Sequence, residues 1–125
     1  MNKLLIILFS LLMTACTTGQ LYYLDQQGTR KLACDVEFIG MPSVDKYAVE
    51  YALSLCAKSA VKKGFAVEDA QLLKIDTAIP LPSCNNKWTH QLAKQQFEND
   101  LLSKKEYGYI VAHIDLGLAT INECL

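Results

Sequence analysis

The residues with the most chemical character are sulfurs and imidazoles: the chain carries five cysteines and two histidines. No two cysteines have the CxxC spacing that thiol-disulfide exchange uses to lower a thiol pKa. Cys84, His90, His113 and Cys124 together offer the two sulfurs and two imidazoles that suit zinc. The five residues between Cys84 and His90 fit no compact ligand motif, so no metal and no cofactor is expected. His113 and Asp115 lie two apart, which on a strand puts them on one face, where a carboxylate can orient an imidazole. A hydrolase also needs a nucleophile, and Ser83, Ser103 and Thr89 stand in no GxSxG elbow. Asp25, Asp35, Glu37 and Asp76 are separate acids on strands or their ends, without the paired spacing of glycoside hydrolysis. No glycine loop cradles a phosphate. No catalytic residue is therefore assigned, and His90 reads as a structural, packed histidine.

Binding is the better class. Trp88, the one tryptophan, and Leu92 one turn later fall outside the apolar stripe of Ala93, Phe97 and Leu101, and make a candidate patch for a partner. Packing beneath the proline-rich stretch 78–83 is the commoner fate of a tryptophan at such a junction and the preferred reading for Trp88 itself. Twelve basic and thirteen acidic residues, scattered along 125, leave a net charge of -1 and no field to gather nucleic acid.

The address is carried by the first sixteen residues. Lys3 precedes an apolar run over 4–13 broken only by Ser10, a core of about ten residues where a spanning helix needs about twenty. The stretch Leu12-Met13-Thr14-Ala15-Cys16 resembles the lipobox of bacterial lipoprotein precursors, with Met13 where leucine is usual. The resemblance implies cleavage before Cys16, acylation of that residue with palmitate among the chains, and attachment to the bilayer. Thr17 rather than Asp after the cysteine implies sorting to the outer membrane, facing the periplasm, in a Gram-negative host. Residues 17–20 then form a short tether with a reach on the order of 15 Å, so the domain stays close to the membrane.

These features need elements to position them. Residues 16–20 as a lipidated tether and 21–125 as one domain follow from the absence of repeats or a second linker. Runs at 21–25 and 31–39 flank Gln26-Gln27-Gly28-Thr29-Arg30 and predict a β-hairpin, with Leu32, Cys34, Val36 and Phe38 facing a core. Gly40-Met41-Pro42 ends the strand, and Ser43 or Asp45 caps a helix running to about 63 and closed by Gly64. Its apolar face holds Val44, Ala48, Tyr51, Ala52, Leu55 and Cys56, with Lys46, Glu50, Ala57 and Lys58 opposite. A strand over 71–76, a second helix over 89–106 and a long strand over 109–121 complete the order.

With Cys16 set aside, four cysteines in an exported chain favour two disulfides. The strand from Cys34 to Gly40 travels about 20 Å and the helix from Ser43 to Cys56 returns about 20 Å, so these two sulfurs lie level. Cys34 with Cys56, and by exclusion Cys84 with Cys124, is the preferred pairing of the three possible. Between Cys34 and Gly64, the strand ending Phe38-Ile39-Gly40 and the helix closing on Lys62-Lys63-Gly64 are similar to the domain of RcsF-like stress-sensing lipoproteins, a resemblance that assigns no residue role.

The expectation is a small α+β domain: a mostly antiparallel sheet of three or four strands, two helices on one face, and two disulfides. Its expected function is that of a non-enzymatic envelope lipoprotein binding a protein partner near the membrane, as assembly accessory, sensor or inhibitor. A small-molecule or metal-binding lipoprotein is the alternative, and an enzyme of unknown class the third. A concave pocket ringed by His90, His113 and Asp115 would favour the small molecule, and an exposed patch around Trp88 the protein partner.

Overall fold

The computed structural model describes residues 16–124; the leader expected over 1–15 lies outside them. The fold is a small α+β domain with a three-stranded antiparallel sheet, ordered β2-β1-β3, and two disulfides. Strands β1 (Cys16–Leu24) and β2 (Arg30–Ile39) form the predicted hairpin, and β3 (Ala66–Val67) adds a two-residue edge beside Tyr23 and Leu24. The hairpin turn closes because the Asp25 carboxylate accepts from the amides of Gln27 and Thr29, while Gly28 takes a positive φ of 79°. Residues 16–20, expected as a tether, are instead the first half of β1, paired from Cys16↔Ile39 onward.

The alternation along β2 holds from Cys34 to Phe38 and fails at Leu32. The register slips between Leu21 and Tyr22, Ala33 is the extra residue, and Leu32 is turned outward to half exposure. A bulge of this kind reverses the facing of everything beyond it.

Helix α1 (Pro42–Lys62) lies across the sheet. Pro42 opens it and Gly64, with a φ of 88°, follows its end. Neither Ser43 nor Asp45 caps it: the N-cap is Met41, without a side-chain bond. Ala57, expected to face away from the core, is fully buried. A 3₁₀ turn (Ala70–Lys74), found where a strand over 71–76 was expected, lays Leu72 over it. The turn is strapped to α1 by Ser54 Oγ donating to the Leu72 carbonyl and Lys58 Nζ donating to the Ile75 carbonyl.

The C-terminal third differs most from expectation. The helix expected over 89–106 is two, α2 (His90–Glu98) and α3 (Lys104–Asp115), and α3 replaces the long strand expected over 109–121. Asp100, with a φ of 58°, interrupts the chain. Ser103 and Glu106 then form a reciprocal capping box that starts α3. The apparent alternation from Tyr109 to Ile114 arises because α3 is covered on two sides, by α1 and by α2. The second helix expected on the sheet is therefore replaced by a stack: α3 packs on α1, and α2 packs on α3.

That stacking is close. A methyl group added at Gly108 would stand 2.5 Å from the Val44 carbonyl oxygen and 2.7 Å from Tyr47 Cβ, both on the framework of α1. On the opposite side of α1, a methyl at Gly19 of β1 would press on the Val49 and Leu53 side chains, with no backbone atom among its nearest contacts. Gly108→Ala is therefore expected to lower unfolding stability by about 1–3 kcal/mol, and Gly19→Ala by less. Urea denaturation monitored by circular dichroism checks the order, and equal costs would mean that the backbone at Gly108 yields as easily as a side chain.

Candidate functional site

The end of β2, the start of α1 and the outer face of α3 leave a cleft between them of about 400 Å³. Its apolar walls are Phe38, Ile39, Met41, Val44 and Val111, and its polar groups are Glu37, Asp45, Tyr107, His90 and Asp115. The sequence places these by short rules. Gly40 ends the strand, Pro42 begins the helix one residue after Met41, and Asp45 therefore arrives on the inner side of the first turn.

Asp45 is the exceptional residue. It is 5% exposed, and its Oδ2 has no hydrogen-bond partner among the described residues. Burial pushes its carboxyl pKa up, because the ionised form has lost its water. A methyl at Gly40 would stand only 3.4 Å from that same Oδ2, so the glycine keeps the carboxylate lightly covered. Buried carboxylates without partners are costly and uncommon, and where they occur they are candidates for function.

The rim of the cleft holds a second pair. His90 Nε2 and Asp115 Oδ1 lie 2.7 Å apart, joining the first turn of α2 to the last turn of α3, with both side chains about half exposed. His90, expected as a packed histidine, is thus a surface residue. His113, expected to share a face with Asp115, points elsewhere, because two residues along a helix turn about 200°. Its Nδ1 is 2.8 Å from the Tyr51 hydroxyl, and burial pushes its imidazole pKa down. Beside it Tyr109 donates to Glu50 Oε2, and its own pKa is raised by burial and by that carboxylate.

The other residues singled out by their sequence separate from the cleft or frame it. Trp88 is 3% exposed, packs with Ala93, Leu102 and Ile110, and donates its indole N–H to the Pro80 carbonyl. Trp88 thus packs beneath the proline loop, the preferred of its two readings, and is not open to a partner, while Leu92 packs half-buried against the same cluster. Cys84 and Cys124 are bridged to each other, and among the described residues no group of three or more metal-ligating side chains converges. Cys34 is bridged to Cys56, the pairing that the lengths of strand and helix favoured. Asp25 serves the hairpin turn and Asp76 accepts from the Ala78 amide, while Ser83 accepts from Asn86. Cys16 is exposed at the outer end of β1, opposite Ile39, and Glu37 beside it pushes the thiol pKa up through a hydrogen bond.

Sequence reasoning missed Asp45 as a site because a first-turn acid has a ready structural role near the helix dipole. No local sequence signal marks it, because its burial is completed by α3, which lies far along the chain. Comparison with known proteins finds no matching family model, curated protein or solved structure. The geometry of the cleft therefore carries the functional reading by itself.

A raised carboxyl pKa in the fold means that the native state holds its proton longer than the unfolded chain. The stability contributed by the protonated group is complete at acid pH and is lost as pH rises from the ordinary carboxyl range through the raised value. Asp45→Asn is therefore expected to be more stable than the parent at pH 8, by about 1 kcal/mol or more, and equal to it near pH 4. Melting temperatures across that range decide it, and parallel curves for the two proteins would mean that Asp45 is partnered.

Proposed function

We propose that this chain is a lipid-anchored envelope protein, acylated at Cys16, whose work is non-enzymatic binding in the cleft beside that anchor. The leader and its lipobox support the anchor. One observation supports the binding role: the buried Asp45 carboxylate, unpartnered at the floor of a cleft large enough for a small ligand. Cys16 pairs with Ile39, itself a wall residue, so Cys16 and the cleft lie at the same end of the sheet, which supports a binding role close to an anchor carried there. A ligand at the bilayer surface would meet the cleft without crossing the periplasm. Among the described residues that line the cleft, no nucleophile is paired with a base, so binding rather than turnover is the reading the side chains favour.

A protein partner is the second reading. It is favoured by Leu81, 76% exposed, and Leu118, 44% exposed, which share a shallow cavity with Pro80 and Pro82 on the side of Trp88. The cleft, with its several convergent polar groups, is the more specific of the two surfaces.

The anchor is tested by expressing the full chain and its Cys16→Ser variant with radiolabelled palmitate. The parent is expected in the membrane fraction with label on it, and the variant is expected unlabelled. Label retained by the variant, or a parent that keeps Met1 in its mass spectrum, would remove the anchor from the account.

A further inference from the structure

We infer that the cleft takes a primary alkylammonium group, with Asp45 as its counter-ion and the walls of Phe38, Met41 and Val111 along its apolar stem. This deepens the binding role proposed above and rests on it. The sign of the ligand follows from the charges present. Three carboxylates line the cleft, those of Glu37, Asp45 and Asp115, against one imidazole, that of His90, which Asp115 already engages. An anionic ligand would meet repulsion on most sides, a neutral one without a donor would leave Asp45 Oδ2 as unsatisfied as it is now, and a neutral donor would leave the charge of the carboxylate uncompensated. Oδ2 itself is covered, so a cation acts on Asp45 from the side that lines the cleft and supplies the compensating charge that this poorly hydrated carboxylate lacks.

The stem follows from the walls. Two of the apolar residues at the mouth are exposed without cover, Ile39 at 72% and Met41 at 50%. Large apolar side chains beside a buried charge suit a ligand that is apolar along its length and charged at one end. Methionine adapts its shape to such a stem, which favours a range of amines over one. An ammonium is preferred to a metal ion because, among the described residues, only Asp45 is deeply placed and unpartnered in the cleft, and a metal needs several converging ligands. Tyr107, whose pKa is raised by burial and then by the carboxylates of Glu98 and Asp45, adds a hydroxyl or ring face to the cleft wall.

The ammonium has two natural sources, a free amine and a lysine side chain of another chain, and the experiment separates them. The isotope-labelled full chain, held in a maltoside detergent without charged groups, is titrated with n-butylammonium, n-butanol, butyrate and Nα-acetyl-lysine methylamide, followed by NMR. Butylammonium is expected to shift the amides of Gly40, Asp45 and Val111 saturably and to move the Asp45 carboxyl carbon towards its ionised position. Asp45→Asn, expected to fold at least as stably as the parent, should weaken that binding tenfold or more. Stronger binding of the lysine amide than of butylammonium assigns the ligand to a protein chain, and the reverse assigns it to a free amine; both support the ammonium. Butanol binding as well as butylammonium, or an Asp45→Asn variant that binds unchanged, overturns the charge assignment while leaving a cleft that binds apolar ligands. No saturable shift with any of the four probes overturns the binding role as well. Neither result touches the palmitate test of Cys16.

Discussion

Everything else in this fold is arranged around the seating of α1. The helix is covered on several sides, and only small groups allow it to come near enough to each neighbour. Gly19 admits Val49 and Leu53 against the sheet, and Gly108 admits the backbone of Val44 and the side chain of Tyr47 against α3. Ala48, Ala52, Ala57 and Ala112 extend this pattern of small, wholly or almost wholly buried residues through the centre of the domain. Packing at interior density leaves little freedom to slide, so the first turn of α1 is fixed in position relative to both β2 and α3. The cleft exists because those three elements approach one another at one end without closing.

The disulfides tie together two different parts of the fold. Cys34–Cys56 holds the middle of β2 to α1, beyond the bulge where Leu32 turns away from the core. Cys84–Cys124 fastens the proline-rich loop to the C-terminal segment, which has no regular structure of its own among the described residues. Two backbone hydrogen bonds beside that bridge, Asn85 to Asn122 and Asn122 to Asn86, make a short ladder there. Trp88 is thereby trapped beneath Pro80, and the base of α2 with His90 is held where it can reach Asp115. A small core gains much from such cross-links, because they limit the unfolded chain as well as tie the folded one.

The parts of this structure that depend on local chemistry were legible in the sequence. The hairpin at Gly28, the helix from Pro42 to Gly64 and both disulfide pairings could be read from turn residues, periodicity and the rise per residue. The C-terminal third could not be read that way, because its pattern is set by neighbours. Residues 109–114 alternate as a strand does, yet they form a helix, since α1 and α2 bury adjacent faces and fill positions that an exposed helix would leave polar. Gly108 has the look of a helix breaker and is a contact point inside a helix. Ser103 and Glu106, three apart, did carry a helix start in plain view. The cleft was not legible in that way: Asp45 became notable only once its surroundings excluded water and offered it no partner.

The pairing of Cys16 with Ile39 has a mechanical meaning for the proposed acylation. A fatty group on a loose leash would let the globule tumble and present any side to the lipid. Cys16 is instead the terminal rung of a β-ladder, so an acyl chain carried there would have the strand as a stiff stem. The orientation of the whole body would follow the bilayer, with rotation left mainly about the axis of that stem. Selection of what arrives would then become partly a matter of angle: molecules moving laterally in the headgroup layer would be favoured over those descending from bulk solution.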